Sequence, residues 1–168
     1  DVLRGLARQN ILTVEVTVAS SSSYVGFLEA YAQALIAADT PASRLRRWAG
    51  ELLQTVRPEL RFETDAIGRS RFALAFPAVR TARETARLAA EVFALPGRIA
   101  SVRKQRMAIA LDEFQASASF NGGSVEHAMR AAVQGQRQVG YVFAGSEPTL
   151  MEQMIGPKRP FYKAGPVM

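Results

Sequence analysis

The chain has 168 residues, carries a formal net charge of +6 and contains no cysteine. Its apolar fraction of 48% is enough for a globular domain with one substantial core. The absence of cysteine excludes a disulfide framework and a thiolate zinc site, and no apolar run approaches the roughly 20 residues of a membrane-spanning helix. We therefore expect a cytoplasmic protein without a membrane partner.

The first predicted strand runs from Ile11 to Val18, where apolar residues alternate with polar ones. One face of such a strand is wet, which predicts a position near the edge of a sheet. Residues 1–10 are typical of the end of an amphipathic helix. A second helix is predicted from Tyr24 to Ala38, where an apolar stripe at helical spacing follows a run of serines that can cap it.

The middle of the chain predicts two helices on either side of a β-hairpin. The helices are predicted at Ala42 to Val56 and at Thr81 to Phe93, and we expect Pro96-Gly97 to break or kink the second one. The hairpin is predicted at about 60–76, where two alternating runs flank a turn with Gly68. We assign no chemistry to the hairpin.

The segment Met107 to Gln115, MAIALDEFQ, is a short apolar run that ends in two adjacent carboxylates. Five apolar residues in a row suit a strand buried on both faces of a parallel sheet. Asp112 and Glu113 then lie at the carboxyl end of the strand, where ligands collect in open α/β sheets. In a P-loop NTPase this is the Walker B position, where the Asp holds Mg²⁺ and the Glu activates the attacking water. The alternative is a strand that runs into a solvated acidic turn.

A second continuous apolar strand is predicted at Val139 to Ser146, VGYVFAGS. Between the two strands, Ser124 to Arg137 has apolar residues at helical spacing and a serine that can cap it. Strand, helix and strand in this span make one right-handed βαβ unit. Ser146 then lies at the tip of the strand beside Walker B, the place that ATPases of this kind use for sensor 1.

From Met107 to Met168 the chain resembles the archaeal and bacterial ATPase family within the AAA+/STAND superfamily of P-loop ATPases. The residues that carry the resemblance are LDEFQ, then YVFAGS, then the LM of a short helix, and the run PFYKAGPVM. The resemblance is tight over this last third and loose over the first hundred residues.

This resemblance implies an α/β fold, a three-layer parallel-sheet P-loop core in which the hairpin is an insertion. The complete ATPase sheet has five strands in the order 5-1-4-3-2, counted from the first strand of the whole domain, so that its second strand lies at the edge beside the Walker B strand. The resemblance implies ATP and Mg²⁺ as cofactors, with Asp112 organising the metal through water. It also implies that Glu113 polarises water and that Ser146 senses the γ-phosphate. STAND-like members act mostly as slow nucleotide-dependent switches coupled to a partner.

One departure from the family concerns the phosphate-binding loop. The motif GxxxxGK[ST] provides backbone amides and a lysine for the phosphates, yet no Gly-Lys pair occurs among the 168 residues. Either the ATPase is degenerate, or the chain is a fragment with its Walker A loop upstream of Asp1. We expect the fragment, and thus an incomplete core that is inactive alone.

Four further residues are weaker candidates. Gln115 is a candidate to orient water, contact the nucleotide or reach a partner subunit, and a capping or turn role is equally consistent with its position. Arg159 is a candidate for a γ-phosphate finger or sensor, against a surface role. Arg130 on the predicted helix is a candidate for a contact across an interface, against a plain exposed arginine. His127, the only histidine, makes no metal site without Cys or a second His.

Two other classes of function stay open. The first is a non-catalytic interaction module with a degenerate ATPase fold, acting through a protein partner or self-association. The second is nucleic-acid binding through the arginine-rich segments, although these lack aromatic interleaving and their pattern favours solvated helix faces.

Overall fold

The computed structural model describes residues 2–39, 58–64, 70–120, 124–157, 159 and 161. The predicted helix at Ala42 to Val56 and the predicted hairpin turn lie outside these residues. The described helices are α1 (Val2–Arg8), α2 (Tyr24–Asp39), α3 (Ala82–Arg103), α4 (Ser124–Gly135) and α5 (Pro148–Ile155). The strands are β1 (Leu12–Thr17), β2 (Glu59–Thr64), β3 (Ser70–Ala75), β4 (Met107–Asp112) and β5 (Val139–Phe143). Short 3-10 helices follow β1 and β4, at Val18–Ser20 and Phe114–Ser119.

A parallel sheet of β1, β4 and β5, with β4 in the centre, organises the mixed α/β fold. The residues of β1 alternate between buried and exposed after Thr13, as their sequence predicts, and β4 is buried for most of its length. The predicted edge position of β1, beside β4, is confirmed within the described sheet. All three strands run in the same direction, so their carboxyl ends meet at one edge of the sheet.

The helices α2, α3 and α4 pack on one face of this sheet. Val14, Ile109 and Tyr141 share that face, since they are in register across the three strands. The order of the strands in space follows their order along the chain, and crossovers of one hand then place successive helices on the same side. The sheet therefore has a covered face and, within the described residues, a face that is largely open.

The strand β5 is more exposed than its apolar sequence predicts. Val142 is 41% exposed and Gly140 is also exposed, because both point to the open face of the sheet. The described sheet ends at β5, which has only β4 as a neighbour. The continuous apolar run of β4 therefore indicated a largely buried strand correctly, whereas the similar run in β5 does not correspond to a buried strand.

The helix α3 is longer than predicted. It begins with a capping box, in which the Thr81 side chain accepts from the Glu84 amide and the Glu84 carboxylate accepts from the Thr81 amide. The predicted end at Phe93 was wrong, since the helix continues through Pro96 to Arg103. Apolar residues at helical spacing beyond the proline, among them Ile99, are fully buried, and this burial outweighs the lost backbone hydrogen bond.

A side-chain amide supports α3 next to the proline. Gln136 Nε2 donates to the carbonyl of Phe93 at 2.6 Å, and Gln136 Oε1 accepts from the Tyr141 hydroxyl at 2.7 Å. Gly97 makes room for this amide, because a Cβ there would lie 3.1 Å from Gln136 Cγ. Gln136 thus links α3 to β5 from the turn that precedes the strand.

The strands β2 and β3 pair antiparallel in a separate two-stranded sheet. The helix α2 binds the outer edge of β3: Gln33 Nε2 donates to the carbonyl of Phe72 at 2.9 Å, and Gln33 Oε1 accepts from the Leu74 amide at 3.4 Å. Glu29 accepts from the Phe76 amide at 2.7 Å. The pair is therefore attached to the main core through α2. That it is an insertion into a P-loop core stays a prediction.

Candidate functional site

The segments that follow β4 and β5 meet at the carboxyl edge of the sheet. Backbone bonds extend the strand pairing: the amide of Ala144 donates to the carbonyl of Leu111, and the amide of Phe114 donates to the carbonyl of Ala144, both at 2.9 Å. These bonds bring the DEFQ segment and the Gly145-Ser146 pair together, although Glu113 and Ser146 are 33 positions apart in the sequence.

Glu113 and Ser146 are hydrogen-bonded to each other. Ser146 Oγ donates to Glu113 Oε2 at 2.7 Å. Glu113 has φ 53° and ψ 42°, the left-handed region that few residues with a side chain adopt. This conformation ends β4 abruptly and begins the 3-10 helix that follows. The sequence predicts both residues at this edge, and the structure brings them into contact.

Gln115 completes a three-residue hydrogen-bonded group, which we call the Glu–Gln–Ser cluster (Glu113, Gln115 and Ser146). Gln115 Nε2 donates to Glu113 Oε2 and lies 3.4 Å from Ser146 Oγ. Gln115 is only 6% exposed, while Ser146 is exposed. The amide therefore supports the cluster from the protein interior, and the hydroxyl faces solvent.

These hydrogen bonds act on the charge state of Glu113. The Ser146 hydroxyl, and after it the Gln115 amide, hold the pKa of the Glu113 carboxyl below its usual value, because both donors stabilise the charged form. The carboxylate is accordingly ionised at neutral pH. Ionised carboxylates accept protons, which is the state that a general base needs.

Asp112 is the last residue of β4 and is half-buried. It is in register with Thr17 of β1, which is exposed. No group of three His, Cys, Asp or Glu side chains that could hold a metal exists among the described residues. A single carboxylate nevertheless fits Mg²⁺ bound with a nucleotide, since that ion takes one or two carboxylates and completes its shell with phosphates and water.

The other predicted residues lie apart from this cluster. Arg159 is exposed, with its backbone amide donating to the carbonyl of Gly156 at 3.1 Å, and within the described part of the chain no hydrogen bond connects it to Glu113 or Ser146. On α4, His127 is exposed and Arg130 is half-buried. A nucleotide role for Arg159 and an interface role for Arg130 stay predictions.

Aromatic packing fixes the strand ends from the covered side. Phe114 contacts Phe143, with ring centroids 4.7 Å apart, and Phe161 packs on both, at 5.7 Å from Phe114 and 5.0 Å from Phe143. Phe161 therefore packs against the end of the sheet. The three rings thus pack together beneath the loops of the cluster.

Gly145 is the site residue that sequence reasoning missed. A Cβ at this position would overlap Gln115 Oε1 and would lie 2.9 Å from Met151 Cγ. Only glycine lets the chain after β5 come this close to the Gln115 amide. The signal was present, because Gly145 lies inside the strand predicted at Val139 to Ser146, and a glycine inside a strand often marks a close backbone approach.

Comparisons with known proteins support the fold alone. No protein-family model matches the chain, and no curated protein matches it in sequence. Among solved structures it is similar to a Walker-type ATPase of Pyrococcus abyssi, with a TM-score of 0.54 and 12% sequence identity, over 96% of this chain and 41% of that chain. The chain thus spans about two-fifths of the length of that ATPase. The mixed α/β fold with its parallel sheet is consistent with a P-loop NTPase-like domain.

Proposed function

We propose that this chain forms the Walker B and sensor 1 part of a P-loop ATPase domain that binds and hydrolyses ATP and acts as a nucleotide-dependent switch. The proposal includes an AAA+/STAND-like architecture, a cytoplasmic location, and a protein partner or self-association through the ATPase domain. The structural likeness to a Walker-type ATPase supports the fold that such a domain needs.

The observation that carries the proposal is the bond between Glu113 and Ser146. An acid and a hydroxyl from the segments that follow two adjacent parallel strands meet at 2.7 Å at the carboxyl edge of the sheet, and the acid directly follows the half-buried Asp112. Ligands of open α/β sheets bind at this edge. A solvated acidic turn, the alternative from sequence, gives no reason for Glu113 to accept hydrogen bonds from two other side chains.

Each residue of the site has a distinct chemical task. Asp112 would hold Mg²⁺ through water, and the ion when bound neutralises charge on the phosphates. Glu113 accepts a proton from the water that attacks the γ-phosphorus. Ser146 donates its hydroxyl proton to an oxygen of the γ-phosphate or to the attacking water. Arg159 stays a candidate for a further phosphate contact.

The proposal requires a phosphate-binding loop that these 168 residues do not contain. Its test therefore begins with the coding sequence upstream of Asp1, where a strand followed by GxxxxGK[ST] is expected within about 40 residues. In a protein that includes this loop, Glu113→Gln should retain ATP binding and lose turnover. Turnover at the parental rate would show that Glu113 is not the base.

The lack of a Gly-Lys pair favours a second candidate, a non-catalytic interaction or nucleic-acid-binding module with a degenerate ATPase fold. The formal charge of +6 is the feature that favours nucleic acid among its partners. A start codon without an upstream loop would select this candidate. Binding to DNA that weakens steeply with salt and is unchanged by Glu113→Gln would then identify the nucleic-acid version.

A further inference from the structure

The amide of Gln115 has a fixed orientation in the Glu–Gln–Ser cluster. A carboxylate only accepts hydrogen bonds, so the NH₂ end of the amide must face Glu113 Oε2. The same NH₂ group has a second hydrogen, which points towards Ser146 Oγ at 3.4 Å. Both amide hydrogens are thereby directed at the two chemical groups of the site, and none at a backbone carbonyl. This geometry does not match the capping or turn role that the sequence left open.

The arrangement is unfavourable for packing alone. Gln115 Oε1 is buried and has no hydrogen-bond partner among the described residues. An unsatisfied buried oxygen costs stability, and an apolar side chain of similar size would avoid that cost. The position also requires Gly145, because any Cβ there would overlap the amide oxygen. The residue is therefore better explained by what its NH₂ group holds than by the space it fills.

Ser146 and Gln115 differ in whether their hydrogen bond to Glu113 can persist when a ligand binds. A serine hydroxyl has one proton and can donate it to one acceptor at a time. Ser146 is exposed, so a phosphate oxygen bound at this edge can compete with Glu113 for that proton. Gln115 is only 6% exposed, so its amide is far less accessible to such a ligand than the Ser146 hydroxyl.

We propose that Gln115 is the positioning residue of Glu113, holding its carboxylate while Ser146 exchanges its single proton between Glu113 and a phosphate oxygen of the nucleotide. The inference rests on the proposed function for the identity of the ligand. It assigns Gln115 no contact with nucleotide, water or a partner subunit. It predicts that Glu113 keeps its place when the serine bond is lost.

The first test uses the 168-residue chain without nucleotide and observes the side-chain NH₂ of Gln115 by NMR. We expect its protons to exchange with water more slowly than those of Gln134, which is exposed on α4 and serves as the internal reference. Ser146→Ala should leave the Gln115 proton that faces Glu113 protected, whereas Glu113→Ala should release that proton. If Glu113→Ala leaves the protection unchanged, or Ser146→Ala abolishes it, the inference is wrong. Both substituted residues are at least partly exposed, so these variants should fold.

A second test measures steady-state kinetics in the protein that includes the phosphate-binding loop. Gln115→Met, similar in size but without an N–H, should lower kcat by about 10- to 100-fold with KM nearly unchanged, because misplaced catalytic groups cost rate rather than binding. Equal kcat in this variant and its parent would overturn the inference about Gln115 and leave the proposed function intact. If the parent itself has no ATP turnover, the proposed function fails, while the NMR result still decides whether Gln115 positions Glu113.

Discussion

Ser146 reaches Glu113 with a 2.7 Å hydrogen bond although 33 positions separate the two residues in sequence. The contact depends on the parallel pairing of β4 with β5, which places Leu111 beside Phe143 and brings the two following loops together. A mutation that shifts this register would separate the acid from the hydroxyl without touching either residue.

The neighbouring acids should separate binding from turnover in the protein that includes the phosphate-binding loop. Asp112→Ala should weaken Mg²⁺-dependent ATP binding by about 10- to 100-fold, as expected for a residue that orients a metal through water. Glu113→Gln should bind ATP normally and hydrolyse it about 10²- to 10⁴-fold more slowly, the usual contribution of a general base. Calorimetric binding and phosphate release measure the two effects. Glu15→Ala, an exposed acid on β1, is the control and should change neither.

Gly145→Ala should destabilise the chain by about 1–3 kcal/mol, the usual cost of overpacking. The added Cβ would overlap Gln115 Oε1 and press on Met151. Adding Gln115→Ala should recover part of this loss by removing the overlapping amide, as measured by urea unfolding. Gly135→Ala is the matched control, since nothing lies within 4 Å of a Cβ at that position. Equal losses at the two glycines would show that the approach of Gly145 to Gln115 is not close.

Gln136→Ala should destabilise the chain by about 1–3 kcal/mol, because it removes one hydrogen bond to the Phe93 carbonyl and one from the Tyr141 hydroxyl. Gln134→Ala, two residues earlier and exposed, should stay within about 0.5 kcal/mol of the parent. Urea unfolding of the two variants side by side is the measurement. A silent Gln136→Ala would mean that the amide does not support α3 near Pro96.

The capping box of α3 should make stability depend on pH. Backbone amides of Arg80 and Thr81 hold the pKa of Glu84 below its ordinary value of 4.5, since they stabilise the charged carboxylate. Between 4.5 and the lower folded pKa, the unfolded chain binds more protons than the folded chain. The contribution of Glu84 is therefore present above pH 4.5 and is lost as pH falls through the folded pKa.

The variant Glu84→Gln isolates this effect, because glutamine can keep the capping bond but does not titrate. Its thermal midpoint should decline less than that of the parent when pH is lowered from 5 to 3, a range set by the ordinary value of 4.5. Parallel declines would mean that other carboxylates dominate the acid sensitivity.

The sequence predicted those elements whose burial pattern follows from the succession of apolar and polar residues within the element itself. Alternation in β1 and the continuous apolar run of β4 identified an edge strand beside a central one, and both loops of the site were located from the polar residues that follow the strands. The length of α3 was missed, because Pro96 is a strong local signal and the burial of Ile99 that overrides it is tertiary. The exposure of Val142 was missed because an apolar strand reads the same whether or not a second layer covers it.

The contacts of Gln115 could not be predicted from sequence. They depend on the left-handed backbone conformation of Glu113 and on Gly145, which is 30 positions away in the sequence. Neither feature produces a repeating pattern of apolar and polar residues that could be recognised in the sequence. The position of Asp112 was predictable from the strand alone, since the residue that ends a parallel strand lies at its carboxyl edge.

The amide of Gln33 has a consequence for self-assembly. It donates to the Phe72 carbonyl and accepts from the Leu74 amide, which is how the backbone of an added strand would bind the edge of β3. One side chain of α2 therefore occupies the template at which a foreign strand would begin pairing. Edge strands protected in this way resist edge-to-edge aggregation. The sheet of β2 and β3, which is too small to be stable alone, also gains hydrogen bonds to α2 along the edge of β3.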